Sequence, residues 1–135
     1  MSQENVEVVL EANDAFNRRD PDAFVACLRH DVEWEALSGI TGIRGVYRGW
    51  TEAREWFEDV VKEVWESAHA EVAEITELGD GRLFVGWLTT ARGGSSGVET
   101  QFRAWTIFSF TGGKIARRQA FRERGEALEA AGLRE

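Results

Sequence analysis

The chain reads as an α+β domain in which helices cover one face of a bent antiparallel sheet. Three observations predict this. Ala53, Trp56, Phe57, Val60, Val61, Val64 and Trp65 recur at the i, i+3, i+4, i+7 spacing of an amphipathic helix. From His69 onward, four alternating segments are separated by glycine turns. Before the amphipathic helix come two helical patterns, the second of them short, and one alternating segment, "VEWEAL". An apolar helix face must lie on something apolar, and here the sheet is what the chain offers. A bent sheet wrapped over such a helix leaves a cone-shaped cavity. At 135 residues and 15.2 kDa, one domain spanning 1–135 with one core and one cavity is expected.

The elements follow in order. Residues 3 to 19 read as a helix with Ser2 as N-cap and Val6, Val9, Leu10, Asn13, Phe16 and Asn17 along one stripe. Two amides interrupt that stripe. Asp20 before Pro21 starts a short helix through Leu28, with Phe24, Val25 and Leu28 inward. "VEWEAL" at 32 to 37 places Trp34 and Ala36 opposite Glu33 and Glu35, as a strand does. Gly39, Gly42, Gly45 and Gly49 mark a loop, and Thr51 is the expected cap of the amphipathic helix. Strands are expected at 70 to 78, 82 to 92, 98 to 110 and 114 to 122, joined through "GDG", "GGSSG" and "TGGK" as an antiparallel meander. The tail "GEALEAAGL" adds a helical turn ending at Gly132, a residue suited to the left-handed conformation. In the last strand Ile115, Arg117, Gln119 and Phe121 share one face, and Ala116, Arg118, Ala120 and Arg122 the other. Each face mixes arginine with small or apolar groups, so alternation alone leaves its orientation open.

Charge excludes some partners. A formal charge of -8 and a pI near 4.9 repel phosphate backbones and anionic lipid, so neither nucleic acid nor a membrane surface is an expected partner. The single Cys27 lies among Ala23, Phe24, Ala26 and Leu28, which predicts a buried inert thiol and no intramolecular disulfide. A cytoplasmic location fits that cysteine usage. "MSQENVEVVL" carries acids where a signal peptide needs basic residues, and no run approaches the roughly 18 apolar residues of a membrane span. His30 and His69 read as exposed turn residues, and without a nearby cysteine or carboxylate cluster they predict no metal site. "GGSSG" lacks the following helix and lysine of a phosphate loop and reads as a hairpin turn. No cofactor is expected.

"AFNRRDPDAF", "HDVEWEAL", "GVYRGWTEAREWFEDV", "FSFTGGKI" and "GEALEAAGL" occur in an order and spacing that resembles the SnoaL-like proteins of the nuclear transport factor two and ketosteroid isomerase superfamily. "ARGGSSGVE" with the "ALEAAGL" ending is similar to an actinobacterial, hence bacterial, branch of them. The resemblance spans nearly the whole chain and implies a cystatin-like cone whose cavity is lined by alternate residues of the sheet. Carried across, it turns inward Trp34 and Ala36; Val85, Trp87 and Thr89; Phe102, Ala104, Thr106 and Phe108; and Ala116, Arg118, Ala120 and Arg122. Asn13, Phe16, Trp56 and Phe57 then close the cavity from the helical side. Aromatic walls with a few polar groups suit a flat apolar metabolite.

The resemblance also permits a test of the catalytic positions. The proton-abstracting aspartate of ketosteroid isomerases corresponds to Ala36, their oxyanion-stabilising tyrosine to Ala12, and their protonated aspartic acid to Thr106, which keeps a hydroxyl donor. The arginine and first aspartate of limonene-epoxide hydrolases correspond to Trp87 and Thr89, and their tyrosine to Trp34. Their second aspartate, like the acid of SnoaL cyclases, corresponds to Ala120. General acid-base catalysis needs a titratable group within hydrogen-bond reach. Asp14, Glu33, Glu35 and Glu123 enter the cavity only through a bulge or a register shift.

Asn13 and Arg118 remain. The asparagine either bonds to neighbouring backbone or meets a ligand. A buried guanidinium stays charged and costs free energy without an anion or acceptor. Arg118 therefore pairs with Glu33, Glu35 or Asp14, or it recognises a ligand carboxylate, enolate or phenolate. In the second case Asn13, Thr89, Thr106 and Arg118 orient the polar end of a small organic ligand stacked among Trp34, Trp87, Phe102 and Phe108. Three functions are open: a binding protein for an apolar or weakly anionic metabolite; a cofactor-independent cyclase, isomerase or hydrolase with a non-standard acid or base; and a dimeric interaction module whose own side chains fill the cavity. The opposite sheet face carries Phe84, Leu88, Trp105, Ile107, Ile115 and Phe121, which predicts a homodimer joined there.

Overall fold

The computed structural model describes residues 2–37, 45–60, 65–93 and 97–133. The order is α1 (Ser2–Asn17), α2 (Pro21–Ala26), β1 (Leu28–Glu35), β2 (Val46–Arg48), α3 (Gly49–Glu58), β3 (Trp65–Glu77), β4 (Leu83–Gly93), β5 (Glu99–Thr111), β6 (Lys114–Phe121) and α4 (Arg124–Ala131). The six strands form one sheet in the order β2-β1-β6-β5-β4-β3. Pairing is antiparallel except between β1 and β6, which run parallel, with helix α3 and four strands intervening between them along the chain. This is the expected α+β architecture, with the meander β3 to β6 where the glycine turns predict it.

Local chemistry explains most boundaries. Asp20 Oδ1 accepts the Ala23 N–H at 3.1 Å and Pro21 opens α2. Gly132 closes α4 at φ 81°, a conformation costly for a side chain bearing a Cβ. Four expectations need correction. Leu28 does not end the short helix: α2 stops at Ala26, and Leu28 starts β1, where it pairs with Ile115. Thr51 is not the cap of α3; that helix starts at Gly49, and Glu52 Oε1 accepts the Arg48 N–H at 2.9 Å instead. Trp65 belongs to β3 and not to the amphipathic helix. His30 and His69 lie within β1 and β3, though both are exposed. The glycine loop and the Val61 and Val64 positions fall largely on 38–44 and 61–64, outside the described residues.

Bulges bend the sheet and set which side chains face in. On β3, Val72 pairs with Trp87 but Glu74 pairs with Gly86, leaving Ala73 as an extra residue. On β6, Arg117 pairs with Ser109 but Ile115 pairs with Phe110, so Ala116 is the extra residue. That bulge reverses the alternation. Ile115, expected on the outer face, is fully buried in the main core with Leu28, Phe24 and Phe108, while Arg118 also faces inward opposite Phe108.

Two apolar clusters hold the layers. Helices α1 to α3 pack Val9, Ala15, Phe24, Ala53, Trp56 and Phe57 against Trp34, Val85 and Phe108 of the sheet. Full burial of side chains of this size contributes roughly 1.5–3 kcal/mol each. On the outer face, α4 lays Ala127, Leu128 and Ala131 over Leu78, Phe84 and Ile107. Phe84 and Ile107 are therefore covered within one chain, and of the outer apolar set Leu88, Trp105 and Phe121 stay partly exposed. Arg124 ties α4 to the sheet through Glu74 at 2.8 Å. Among the described residues no helix is long and apolar enough to cross a membrane.

Candidate functional site

The concave sheet face and helices α1 and α3 enclose a cavity. It measures about 120 Å³ at the centres of the waters it can hold, several times the ~10–15 Å³ that one water needs. Its wall is aromatic. Phe16 and Trp56 come from the helices, Phe24 from α2, Trp34 from β1, and Trp87, Phe102 and Phe108 from β4 and β5. Phe24 meets Trp34 edge-on at 5.2 Å, and Trp34 lies 5.1 Å from Trp56, so the rings lock one another in place. Phe57 sits behind this wall, packed on Phe16 and Phe24.

Register explains why these rings converge. Thr89 pairs with Phe102, Trp87 with Ala104, and Val85 with Thr106, so the inward sets of β4 and β5 stand directly opposite each other. Small residues then make the room: Ala104 on β5, Ala68 and Ala70 on β3, and Ala12 on α1 line the cavity between the rings. Val9, Phe24, Leu37 and Val60 also line it and were not among the expected contacts. Phe24 and Val60 belong to helical apolar stripes, and a stripe alone does not distinguish core from cavity wall.

Asn13, Trp34, Trp87, Thr89, Phe102, Phe108 and Arg118 all line the cavity; Thr106 does not. Its side chain is fully buried behind the wall. There Thr106 Oγ1 accepts the Trp87 indole N–H at 2.8 Å and donates to the Val85 carbonyl at 3.4 Å. The hydroxyl positions a cavity ring and has no face left for a ligand. Asn13 keeps a double position. Its Nδ2 donates to the Ala70 carbonyl at 3.1 Å, and Asn17 makes two further bonds to Ala70, donating to its carbonyl and accepting its N–H at 2.9 Å each. The two amides of the apolar stripe thus satisfy the backbone of edge strand β3, whose outward groups otherwise lack a ladder partner.

Arg118 reaches into the aromatic wall. Its Cζ lies 4.6 Å from the Trp34 ring centroid and 5.3 Å from that of Trp56. Nη1 donates to the Glu35 carbonyl at 3.0 Å. None of the three candidate carboxylates forms an ion pair with it: Glu33 lies 3.8 Å from Arg117, Asp14 pairs with Arg18, and Glu35 Oε2 accepts the Ala120 N–H at 2.9 Å. Burial pulls the Arg118 guanidinium down to about 10, with the nearby Glu35 charge opposing. It stays protonated at neutral pH, half-buried against the rings. A second donor on the same wall is also unmatched: Trp34 Nε1 is buried without a hydrogen-bond partner.

Among the described residues the lining contains no aspartate, glutamate or histidine. Ala36 is buried in the core and Ala120 follows Arg118 on β6 without entering the lining. Cys27 is buried outside the cavity, and burial pushes its thiol up to about 11. No group of three or more histidine, cysteine or acidic side chains suited to a metal ion occurs among the described residues.

No curated protein matches the chain. Solved structures do match it in fold. Bal32a, from a soil-derived mobile gene cassette, superposes with a TM-score of 0.80 at 19% identity, covering 96% of both chains. An NTF2-like protein of unknown function from Burkholderia pseudomallei gives 0.79 at 22% identity, covering 93% of this chain and 95% of that one. SalBIII, an epoxide hydrolase/cyclase-like enzyme of pyran ring formation in polyether salinomycin, gives 0.78 at 22% identity over 92% and 95%. At such identities the likeness is one of fold. The family model of the SnoaL-like domain matches residues 9–118, from the apolar stripe of α1 to the cavity arginine of β6, and the chain belongs to the SnoaL-like domain family.

Proposed function

We propose that this protein binds a flat, apolar organic metabolite in the cavity and does not run the acid-base chemistry of the better-known catalytic folds of this kind. One observation carries the reading: the space is walled by aromatic rings and contains, among the described residues, no side chain able to take or give a proton near neutral pH. Arg118 supplies charge and Thr89 a hydroxyl, which orient a ligand without reacting with it. The open space counts against a cavity filled by its own side chains. A cyclase, isomerase or hydrolase is the second reading, favoured by the likeness to SalBIII; it would run through Glu35, whose carboxylate already meets the Ala120 backbone.

Ala104→Phe tests the first reading, because it projects a ring from the middle of β5 into the cavity. Quenching of intrinsic tryptophan fluorescence by a planar aromatic probe such as naphthol should saturate in the wild type and vanish in the variant. Unchanged quenching in a folded Ala104→Phe protein would place binding elsewhere and sink the proposal. We infer in addition a homodimer joined through what α4 leaves of the outer face, Leu88, Trp105 and Phe121; sedimentation as a monomer at micromolar concentration would overturn it.

A further inference from the structure

We propose that the ligand carries one delocalised oxyanion of carboxylate type, held by the Arg118 guanidinium with the Trp34 indole N–H as second donor; this rests on the cavity reading above. The cation is planar and is stacked against Trp34 and Trp56, 4.6 and 5.3 Å from their centroids. The two rings, themselves 5.1 Å apart, lie on one side of the cation, and its N–H groups radiate in its own plane. One edge position is fixed by the Glu35 carbonyl at 3.0 Å. What remains is a rigid fork of charged donors, the shape that a planar pair of anionic oxygens matches bidentately.

Among the described residues no carboxylate completes that match. The acids within the neighbouring elements are engaged elsewhere, with Glu33 near Arg117, Asp14 on Arg18 and the Glu35 carboxylate on the Ala120 N–H. Trp34 Nε1, on the ring against which Arg118 stacks, is the one buried side-chain donor without an acceptor among the described residues. The wall therefore offers a single positive charge, and the unmatched indole N–H belongs to the ring over which that charge lies. A monoanion balances that charge, whereas a dianion would bury an uncompensated one. A neutral ligand would leave the guanidinium without a counter-charge.

Naphthoate and naphthamide share ring and shape and differ in charge, so calorimetric titration of both near neutral pH separates the outcomes. Naphthoate should bind about 10–100-fold more tightly, the range expected of hydrogen bonds to a charged group. Arg118→Met should level the two, and Trp34→Phe, which keeps a ring and removes the N–H, should reduce naphthoate affinity a few-fold while leaving naphthamide unchanged. Equal affinities in the wild type, a comparison that needs no variant, would overturn the oxyanion inference and leave the aromatic cavity standing. Binding of neither compound at millimolar concentration would overturn the cavity reading and this inference together. Unchanged naphthoate affinity in Trp34→Phe would remove the second donor from the assignment.

Discussion

Replacing Thr106 by valine tests how the cavity wall is held. The Thr106 hydroxyl is fully buried and accepts the Trp87 N–H at 2.8 Å. Valine keeps the branched shape and deletes that acceptor, leaving the indole N–H without its protein partner. A buried donor stranded in this way costs about 1–3 kcal/mol. Trp87 lines the cavity and is only partly buried, so its N–H regains some hydration and the lower part of the range applies. The second bond of Thr106, to the Val85 carbonyl at 3.4 Å, is long and adds little. A loss of about 1–2 kcal/mol follows, equivalent to a fall of about 3–8 °C in Tm for a domain of this size. Urea unfolding should show a lower midpoint at unchanged slope. In a Trp87→Phe background there is no donor to strand, so Thr106→Val should cost less than about 0.5 kcal/mol. Equal losses in both backgrounds would refute the assigned bond.

Four further outcomes are expected. Asn17→Ala removes two bonds to Ala70 and should destabilise by about 1–3 kcal/mol, with faster hydrogen exchange at the Ala70 amide as the specific sign. In Gly86→Ala the new Cβ would stand 2.7 Å from Glu74 Cγ and 3.2 Å from the Trp105 ring; displacing Glu74 should lower stability by about 1–3 kcal/mol, and Glu74→Ala should restore part of it. Arg124 holds the Glu74 carboxyl below the usual range, aided by Trp105. A depressed carboxyl contributes stability above its unfolded pKa and loses it as pH falls through the folded value, so unfolding free energy should drop on acidification below about 4.5 less steeply in Glu74→Gln. Arg118→Met exchanges a poorly matched, half-buried charge for an apolar chain of similar reach, so thermal unfolding should show stability close to wild type; a loss beyond about 2 kcal/mol would mark Arg118 as structural.

The site was partly legible before the fold was known. Trp34, Trp87, Thr89, Phe102 and Phe108 alternate on strands whose glycine turns set their register, and period-two alternation survives wherever the ladder is regular. It failed on β6. The bulge at Ala116 adds one residue to one strand only, so Ile115 and Arg118 both face inward although they lie on opposite faces by count. Nothing local in "KIARRQ" announces that, because a bulge is selected by how two strands must curve together. Thr106 failed for a different reason. It points to the correct side, but the Trp87 indole folds over it and takes its oxygen. The asparagines of α1 were visible as exceptions in an apolar stripe. Their task, closing the Ala70 backbone on an edge strand 53 and 57 residues away, depends on a contact that no local pattern encodes.

The sequence by itself determined most of the elements, though not β2 inside the expected glycine loop, together with the antiparallel meander and the alanines at Ala36 and Ala120, because periodicity, caps and turn glycines act over a few residues. Only the tertiary structure decided that Arg118 stands over Trp34 and Trp56 while Glu33, Asp14 and Glu35 are engaged elsewhere, and that α4 covers Phe84 and Ile107. Whether a charge is matched, or an apolar face covered, is settled by groups distant along the chain that compete for the same partners, and that competition exists only once the chain is folded.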